Sequence, residues 1–500
     1  MLLDKSFAVA RTGELVIQCI EACIYQKVDN GLRLEGHGII KINSIGSLYM
    51  EFVCLKSENF PFNFGGNDFP KDLFEPEQEL FFECFTLEGE KIEANGFSLK
   101  IREFNTHRPF NFIVGFAEIY RRAPFNFPSQ RKSFLYFEIN ELSRVPKNKG
   151  NTTTSTLGSE SWSFNQTVLQ NDEFNISIID HKGYVEVYAN GDFDVDKLFQ
   201  ALRFYIGFTS GTLPQAYAMS KRSGLELTHY VRSIRNSIKS QSIPHPIPEN
   251  ILIDGVIDVK SHYDLFFNIW HVLNNHNVYF ESTYSQWKRV FAAFNTESAL
   301  SNLTISTSVE GILIDVFMPK LVEEARDEEY EKQKIEIIEK IKNLEIDPAK
   351  RNTIIKNVAG WGNLYAAKAL GMLVDKKLIS TAEKKAWEKL RHAAAHPKFT
   401  PHTIERQIKE YHRVSSCINL FNKLVLNVYS YSGAQFEFGE VRQPKIVVHD
   451  LVSILGLEKQ EAKNPVPMKS EIEKVEQAEP SRRPMVFVQK LKEIFSGLFK

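Results

Sequence analysis

The fold class is decided by the stretch FNISIIDHKGYVEVYANGDFDVDKLFQALRF, residues 174–204, in which one hydrophobic period gives way to another. Apolar and polar residues first alternate over 174–188 on both sides of a short polar turn at 180–183, which predicts a β-hairpin. Apolar residues then recur at helical spacing, and we expect the helix to end at Gly207 and Gly211. The apolar face of this helix comprises Val195, Leu198, Phe199 and Leu202.

The chain before this change of period is predicted to be mostly strand. Residues 1 to about 210 contain short alternating runs, such as 38–42 and 48–53, separated by Gly, Asn and Pro. The segment 147–163 has no periodicity and is rich in Ser, Thr, Gly and Asn. We therefore expect it to be a surface loop or a hinge within a β-rich platform.

The chain after this point is predicted to be helical from about residue 261 to about residue 431. One helix opens with a capping box, Ser380 to Glu383, in which side chains satisfy free amide groups at the helix start. Several such helices joined by short loops make a bundle, so the expected fold class is α+β, a β-rich N-terminal domain followed by an all-α bundle. The predicted helices cover 303–317, 322–344, 352–374, 380–395 and 403–429, the last stopped by Gly433.

Four segments follow from these patterns. We expect a β-rich sensor or regulatory domain at 1–260, a helical domain at 261–432, an extension and flexible linker at 433–484, and an amphipathic C-terminal helix at 485–500. The terminal helix is expected to dock on its own protein, on a partner or on a membrane surface. Its apolar face comprises Phe487, Leu491, Ile494, Phe495 and Leu498.

The composition is that of a soluble globular protein, with 43% hydrophobic residues, 25% charged residues and a net charge of -1. The five cysteines form no CxxC pair, so we expect reduced thiols rather than disulfides or a zinc site, and neither a metal nor a cofactor. The first residues lack the apolar region of a signal peptide, and no apolar run is long enough for a transmembrane segment. A cytoplasmic location is therefore expected.

Functional chemistry concentrates in residues 387–397, WEKLRHAAAHP, which read as the end of a helix running into a proline. The residue before a proline is disfavoured in the α region, so His396 is expected to leave the helix and to become free to approach Arg391. The alanines between them leave room for a second chain or a nucleotide. A fixed cation and a group that titrates near neutral pH can together support attack by a ribose 2′-hydroxyl on its own phosphate.

This stretch resembles the R-x4–6-H motif of HEPN-domain ribonucleases, with histidine at the polar position that follows the arginine. The segment TSVEGIL, residues 307–313, resembles the first-helix segment of that family, in which a glutamate stands in an apolar run. A β-rich N-terminal half followed by a C-terminal bundle is similar to the architecture of ApeA-like anti-phage proteins. The likeness covers roughly 296–432 in detail and 1–295 only in architecture.

The resemblance implies metal-independent cleavage of RNA that leaves a 2′,3′-cyclic phosphate. By position, His396 would be the general acid or base, Arg391 would hold the scissile phosphate, His392 would assist or orient, and Glu310 would pair with Arg391. The family also implies a homodimer with a composite active site, and a role as an anti-phage effector that causes abortive infection when triggered by a phage component.

Other interpretations of the same residues stay open. An arginine and a histidine near a helix C-terminus also interact favourably with the helix dipole. Under this interpretation, the chain is expected to be a non-catalytic binding or dimerisation protein that recruits a partner through its C-terminal helix. Basic residues interleaved with aromatics at 120–132 and 221–239 are typical either of single-stranded RNA surfaces or of ordinary exposed strands. No GxxxxGK[ST], GxGxxG after a strand, HExxH or GxSxG motif occurs, so nucleotide hydrolysis, dinucleotide oxidoreduction and zinc or serine hydrolysis have no support.

Overall fold

The computed structural model of the chain describes most of residues 2–457. The described ranges are 2–60, 68–70, 75–103, 110–124, 133–140, 143–154, 160–239, 241–250, 252–253, 256–257, 259–296, 299–325, 328–360, 364–395, 403–439, 444–449 and 453–457. The predicted linker and C-terminal helix, 458–500, lie outside these ranges. Of the described helices, none combines the length and the apolar composition needed to cross a membrane.

The architecture is α+β, as the sequence predicts: a large antiparallel sheet comes first and helices follow. The sheet strands are β1 Val16–Tyr25, β2 Arg33–Ile42, β3 Leu48–Glu58, β4 Asp68–Phe69, β5 Phe81–Thr86, β6 Lys91–Asn95, β7 Ser98–Glu103, β8 Phe110–Phe116, β9 Glu118–Pro124, β10 Ser133–Ile139, β11 Lys149–Thr154, β12 Glu160–Gln170, β13 Phe174–His181, β14 Tyr184–Gly191, β15 Ala216–Ser223 and β16 Glu226–Arg232. Their order across the sheet is 11-12-13-14-10-15-16-9-6-5-1-2-3-8-7-4.

The hairpin and helix that decide the fold class are both present. Strands β13 and β14 pair in an antiparallel register that runs from Phe174 opposite Gly191 to His181 opposite Tyr184. Helix α2, Val195–Ser210, begins where the Asp194 side chain accepts a hydrogen bond from the Lys197 amide at 3.0 Å. It ends at Gly211, whose φ of 71° is the left-handed conformation that glycine adopts without strain. Helix α1, Leu2–Thr12, precedes the first strand of the sheet in the chain.

Two local predictions for the β-rich part were wrong. The segment 147–163 is not a loop or hinge, because most of it belongs to strands β11 and β12, which pair with each other. Strand β11 lies at one edge of the sheet, where a strand pairs on one side only and its composition can be polar. The N-terminal residues form helix α1, which the strand pattern did not predict and which buries Phe7 and Ala10.

The helical part agrees with the predicted bundle. Its helices are α3 Lys260–Asn275, α4 Asn277–Phe294, α5 Ala299–Ile312, α6 Met318–Glu324, α7 Glu328–Lys342, α8 Pro348–Ala359, α9 Ala366–Asp375, α10 Thr381–Ala395 and α11 Ile404–Val428, with a π-helical turn, Leu313–Phe317, joining α5 to α6. The predicted helices at 322–344 and 352–374 are each divided in two. The predicted capping box is formed: the Ser380 amide donates to Glu383 Oε2 at 2.7 Å, and the Glu383 amide donates to Ser380 Oγ at 3.2 Å.

The segment after α11 adds structure that the sequence pattern did not predict. The helix already ends at Val428, and Gly433 instead begins a small hairpin. The last described residues include Ile454, Leu455 and Leu457, which pack against the core of the helical part. Two short hairpins lie outside the main sheet, β17 Leu252–Ile253 with β18 Val256–Ile257, and β19 Gly433–Glu437 with β20 Lys445–His449.

Two hydrophobic cores organise the described residues. The first lies among strands β1 to β9 and helix α1, and it takes in Tyr217, Ala218 and Val231 from β15 and β16. The second joins strands β10 and β12 to β14 to helix α2 and to the helices after residue 260. The helical bundle therefore shares one continuous core with the second half of the sheet, which mechanically connects the two parts of the chain.

Candidate active site

Helices α5 and α10 pack side by side and carry the predicted site residues. The indole Nε1 of Trp387 on α10 donates a hydrogen bond of 2.9 Å to the backbone carbonyl of Ser306 on α5. Trp387 and Leu390 on one helix and Val309 on the other are buried. These contacts fix the rotation of α10 against α5, and so they determine which residues of the two helices meet at the surface.

Arg391 and Glu310 meet at the outer edge of this contact. The guanidinium Nε donates to Glu310 Oε2 at 2.9 Å, and Nη2 donates to Oε1 at 3.2 Å. This two-point geometry is the strong form of an arginine–carboxylate pair. The Arg391 side chain is 44% exposed and that of Glu310 is 24% exposed, so the pair is open to solvent. The predicted pairing of these two residues is therefore present, while their catalytic roles stay predictions.

The remaining predicted site residues lie around the end of α10. His392 is in the last turn of the helix and is exposed, as is Ala393. His396 and Pro397 lie outside the described residues, so the predicted approach of His396 to Arg391 is untested. Of the four predicted residues, the structure brings Arg391 and Glu310 into contact and places His392 next to Arg391 in the chain.

A cleft of about 250 Å³ adjoins this helix end. It lies between the last turns of α10 and the first turns of α11. Its lining carries two cations and two carboxylates, and Glu410 accepts a hydrogen bond of 2.5 Å from Asn302 on α5. Lys409 and Arg413 are four residues apart on α11 and so share a face of that helix. The lining residues are Leu390, Ala393, Thr403, Glu405, Lys409, Glu410 and Arg413.

Sequence reasoning missed this cleft. The signal that was available is the pair of basic residues at helical spacing, Lys409 and Arg413, directly after the motif. Within the part of the chain that the structure describes, neither cation lies within ion-pair distance of a carboxylate. The cleft therefore places two cations beside the helix end that carries Arg391.

Comparison with protein-family models, with curated proteins and with solved structures found no match to this chain.

The first turns of α11 expose an apolar stripe. Ile404, Ile408 and Tyr411 are spaced by threes and fours along the same helical face as Ile418, but their exposed fractions are 76%, 50% and 60%. The helix is buried only from about Ser415 onward, because it extends beyond the bundle core. Helical periodicity identified the face correctly and could not tell which part of it is covered.

Several cations of the two basic and aromatic stretches are paired with carboxylates. Lys221 pairs with Asp196 at 3.0 Å, and Arg232 pairs with Glu118 at 3.0 Å. On strand β9, Arg121 pairs with Glu90, and Arg122 lies 3.5 Å from Glu93 and 3.6 Å from Glu226. At these four positions the contacts favour ordinary strand residues over an RNA surface, while Arg235 and Lys239 are exposed. The rest of the first stretch, 125–132, lies outside the described residues.

All five cysteines are free and buried. Cys19 and Cys84 lie on the paired strands β1 and β5 with their Sγ atoms 3.1 Å apart. Among the described residues, no group of three or more His, Cys, Asp and Glu side chains is placed to hold a metal ion.

Proposed function

We propose that the chain is a metal-independent endoribonuclease of the HEPN type. The observation that carries the proposal is the exposed Arg391 guanidinium at the end of α10, held at two points by Glu310 of the neighbouring helix. An arginine fixed in this way presents a planar cation to a phosphate group. The R-x4-H spacing from Arg391 to His396 supplies a titrating partner in the same short segment.

In the proposed reaction, a histidine removes the proton of a ribose 2′-hydroxyl, and the resulting oxygen attacks the adjacent phosphorus. The bond to the 5′-oxygen of the next nucleotide breaks, and that oxygen takes up a proton. The products are a 2′,3′-cyclic phosphate and a free 5′-hydroxyl. Arg391 stabilises the charge that develops on the phosphate oxygens.

Glu310 is assigned a positioning role. It accepts hydrogen bonds from Nε and Nη2 of Arg391, which leaves the donors on Nη1 outside this contact. A phosphate oxygen can therefore approach the guanidinium from the Nη1 side without breaking the ion pair. His396 is proposed as the general acid or base, and His392 as an assisting group.

The proposal extends to a homodimer in which two copies of Arg391 and His396 form one composite site. It also extends to a cytoplasmic anti-phage role, in which a phage-derived trigger acts on the β-rich part and cleavage of RNA stops the infected cell. The core shared between the sheet and the bundle offers a physical route for such a signal.

The rival function is a non-catalytic binding or dimerisation protein that recruits a partner through residues 485–500. The observation that favours it is the same ion pair. Glu310 already accepts two hydrogen bonds from Arg391, as it would if the pair only linked the two helices. This alternative requires a phenotype that depends on the C-terminal segment and not on His396.

The deciding experiment replaces Arg391 and His396 separately with alanine and follows RNA breakdown in EDTA, with analysis of the new ends for 2′,3′-cyclic phosphate. Lys389→Ala, an exposed change on the same helix, is the matched control. We expect cleavage by the wild type and the control, and loss of cleavage in both variants. Wild-type activity in both variants rejects the ribonuclease. Absence of cleavage with or without phage infection, together with loss of phenotype on deletion of 485–500, supports the rival.

A further inference from the structure

A second cleft, of about 350 Å³, lies in the β-rich part of the chain, far in sequence from Arg391. Ligand sites usually have volumes of about 300–1,000 Å³ and mostly apolar walls. The cleft is bounded by the end of α1, the start of β1, the turn between β5 and β6, and strands β9 and β16. Its apolar lining includes the buried side chains of Leu15, Ile92, Ile119 and Val231.

The mouth of the cleft continues into an exposed apolar patch. Val16 and Leu87 line the cleft, and their exposed fractions are 57% and 58%. Ile20 and Phe85, at neighbouring positions of the paired strands β1 and β5, are 50% and 42% exposed. Exposed apolar side chains gathered at the mouth of a cleft are typical of an interaction site. A ligand that contacts both the cleft and these side chains is larger than a small molecule.

The cleft lies at the junction of the described sheet that has the fewest paired residues. Strands β6 and β9 are joined by a single residue pair, Glu93 with Tyr120, whereas β9 pairs with β16 along its whole length and β6 pairs with β5 over five positions. Both Ile92 of β6 and Arg121 of β9 line the cleft just beyond this pair. A molecule bound there contacts both sides of the junction.

The charges around the cleft are predominantly negative. Three glutamates line it, Glu14, Glu88 and Glu90, against one arginine, Arg121. Glu90 is occupied by its ion pair with Arg121. Glu14 and Glu88 are exposed and have no cationic partner among the described residues. The rim therefore favours a positive charge beside an apolar group.

We propose that this cleft and patch are the docking site of a protein partner, which inserts an apolar side chain into the cleft and places a neighbouring lysine or arginine against Glu14 and Glu88. The apolar patch favours a peptide segment over an isolated metabolite, and the acidic rim selects a basic segment. The inference goes beyond RNA cleavage and does not depend on it. By binding across the junction of β6 and β9, such a partner stabilises one arrangement of the two halves of the sheet.

The test measures fluorescence anisotropy of short labelled peptides with the full-length protein. The peptides carry a central phenylalanine flanked by lysines, by glutamates or by serines, together with a lysine peptide that has serine in place of phenylalanine. We expect the phenylalanine–lysine peptide to bind at least about tenfold more tightly than each of the others, the ratio that a lost anchor or charge contact usually produces.

Two variants and one control variant locate the binding. Leu87→Glu places a charge in the patch and is expected to weaken binding by at least about tenfold, while Leu225→Glu, at a 69% exposed turn residue, leaves it unchanged. Glu88→Lys changes only a rim charge and is expected to shift preference toward the glutamate peptide. Absence of peptide binding, equal binding of acidic and basic peptides, or full affinity in both Leu87→Glu and Glu88→Lys overturns the proposal. So does a change of oligomeric state in Leu87→Glu without peptide binding, which would assign the patch to a second copy of the chain.

Discussion

Arg391 of α10 and Glu310 of α5 lie 81 residues apart in the chain and form a two-point ion pair. The Nε–Oε2 distance is 2.9 Å and the Nη2–Oε1 distance is 3.2 Å. Both side chains are partly open to solvent. Water and salt screen ion pairs in such surroundings, so we expect a modest effect of this pair on stability. Its two-point geometry also holds the Arg391 guanidinium in one orientation.

The first prediction separates these two effects. Replacing Glu310 with Gln is expected to lower the free energy of unfolding by less than about 1 kcal/mol. The same change is expected to slow RNA cleavage by about 10- to 100-fold, mainly in kcat, because a misplaced Arg391 stabilises the transition state less well. Urea unfolding and cleavage rates of the same preparations measure both quantities.

The matched control for this prediction is Lys389→Ala, which should change neither quantity. A Glu310→Gln protein that keeps the wild-type cleavage rate would remove Glu310 from the site. A loss of several kcal/mol in stability would instead assign the pair to the fold.

Trp387 provides the second prediction, because it connects the packing of α5 and α10 to the site. Its indole N–H donates to the buried carbonyl of Ser306 at 2.9 Å. Trp387→Phe removes the donor and some buried volume, so we expect a loss of about 1–3 kcal/mol in the free energy of unfolding. We also expect weaker RNA binding at the proposed site, since the rotation of α10 against α5 is then less well fixed.

The measurement is thermal or urea unfolding together with RNA affinity. Trp361 lies outside the described residues, so the better control is Trp270→Phe on α3, which is partly buried in another part of the core. Equal effects of Trp270→Phe and Trp387→Phe on RNA affinity would contradict a specific link between Trp387 and the site.

Features of the fold that depend on residues close together in the chain could be predicted from the sequence, whereas features that depend on distant residues could not. The hairpin at 174–191, helix α2 and the Ser380–Glu383 capping box are local patterns, and all three are present. The edge strand β11 was predicted wrongly as a loop or hinge, and the exposure of the start of α11 was not predicted, because the surroundings of both are set by residues far away in the chain. Periodicity reports a face, while neighbouring elements decide whether that face is covered.

The candidate site divides in the same way. The motif at Arg391 is local, and its pairing with Glu310 was expected only through a family resemblance, because no local pattern reports contacts between distant helices. The cleft lined by Lys409 and Arg413 required the packing of α10 against α11. The docking surface in the β-rich part required the order of strands β6, β9 and β16, which no periodicity contains.

Glu383 provides the third prediction. It closes the capping box of α10 and also lies 3.0 Å from Lys423 of α11, with both side chains 8% exposed. Burial lowers the pKa of Lys423, but Glu383 and Glu437 outweigh that effect and the net pKa is raised. Removing one carboxylate from such a group is costly. We expect Glu383→Gln to lower the free energy of unfolding by about 3 kcal/mol, since buried pairs that lose one partner lose about 3–5 kcal/mol.

Two comparisons test the cause. Ser380→Ala removes only the cap and should cost about 0.5–2 kcal/mol. In a Lys423→Met background the charge is gone, so Glu383→Gln should cost clearly less than in the wild type. An equal cost in both backgrounds would show that the Glu383–Lys423 contact does not matter.

Two buried histidines lead to the fourth prediction, on pH. Burial lowers the pKa of His262 to about 3, and burial with the nearby Arg144 lowers that of His245 to about 4. Both are therefore neutral in the folded protein above these values. In the unfolded chain they take up protons below about pH 6.5. Unfolding then binds protons, so the free energy of unfolding falls as the pH drops below about 6.5.

The contribution of His262 to the pH dependence of stability can be isolated by substitution. The Tyr205 hydroxyl lies 2.7 Å from His262 Nδ1, and Gln can keep a polar partner there without titrating. Each histidine contributes a slope of up to about 1.4 kcal/mol per pH unit below its unfolded pKa. We expect His262→Gln to be less stable than the wild type at pH 7.5 and to lose less stability between pH 6.5 and 4.5, measured by urea unfolding at several pH values. A pH dependence that is identical in the two proteins would show that His262 is protonated equally in the folded and unfolded states, contrary to its burial.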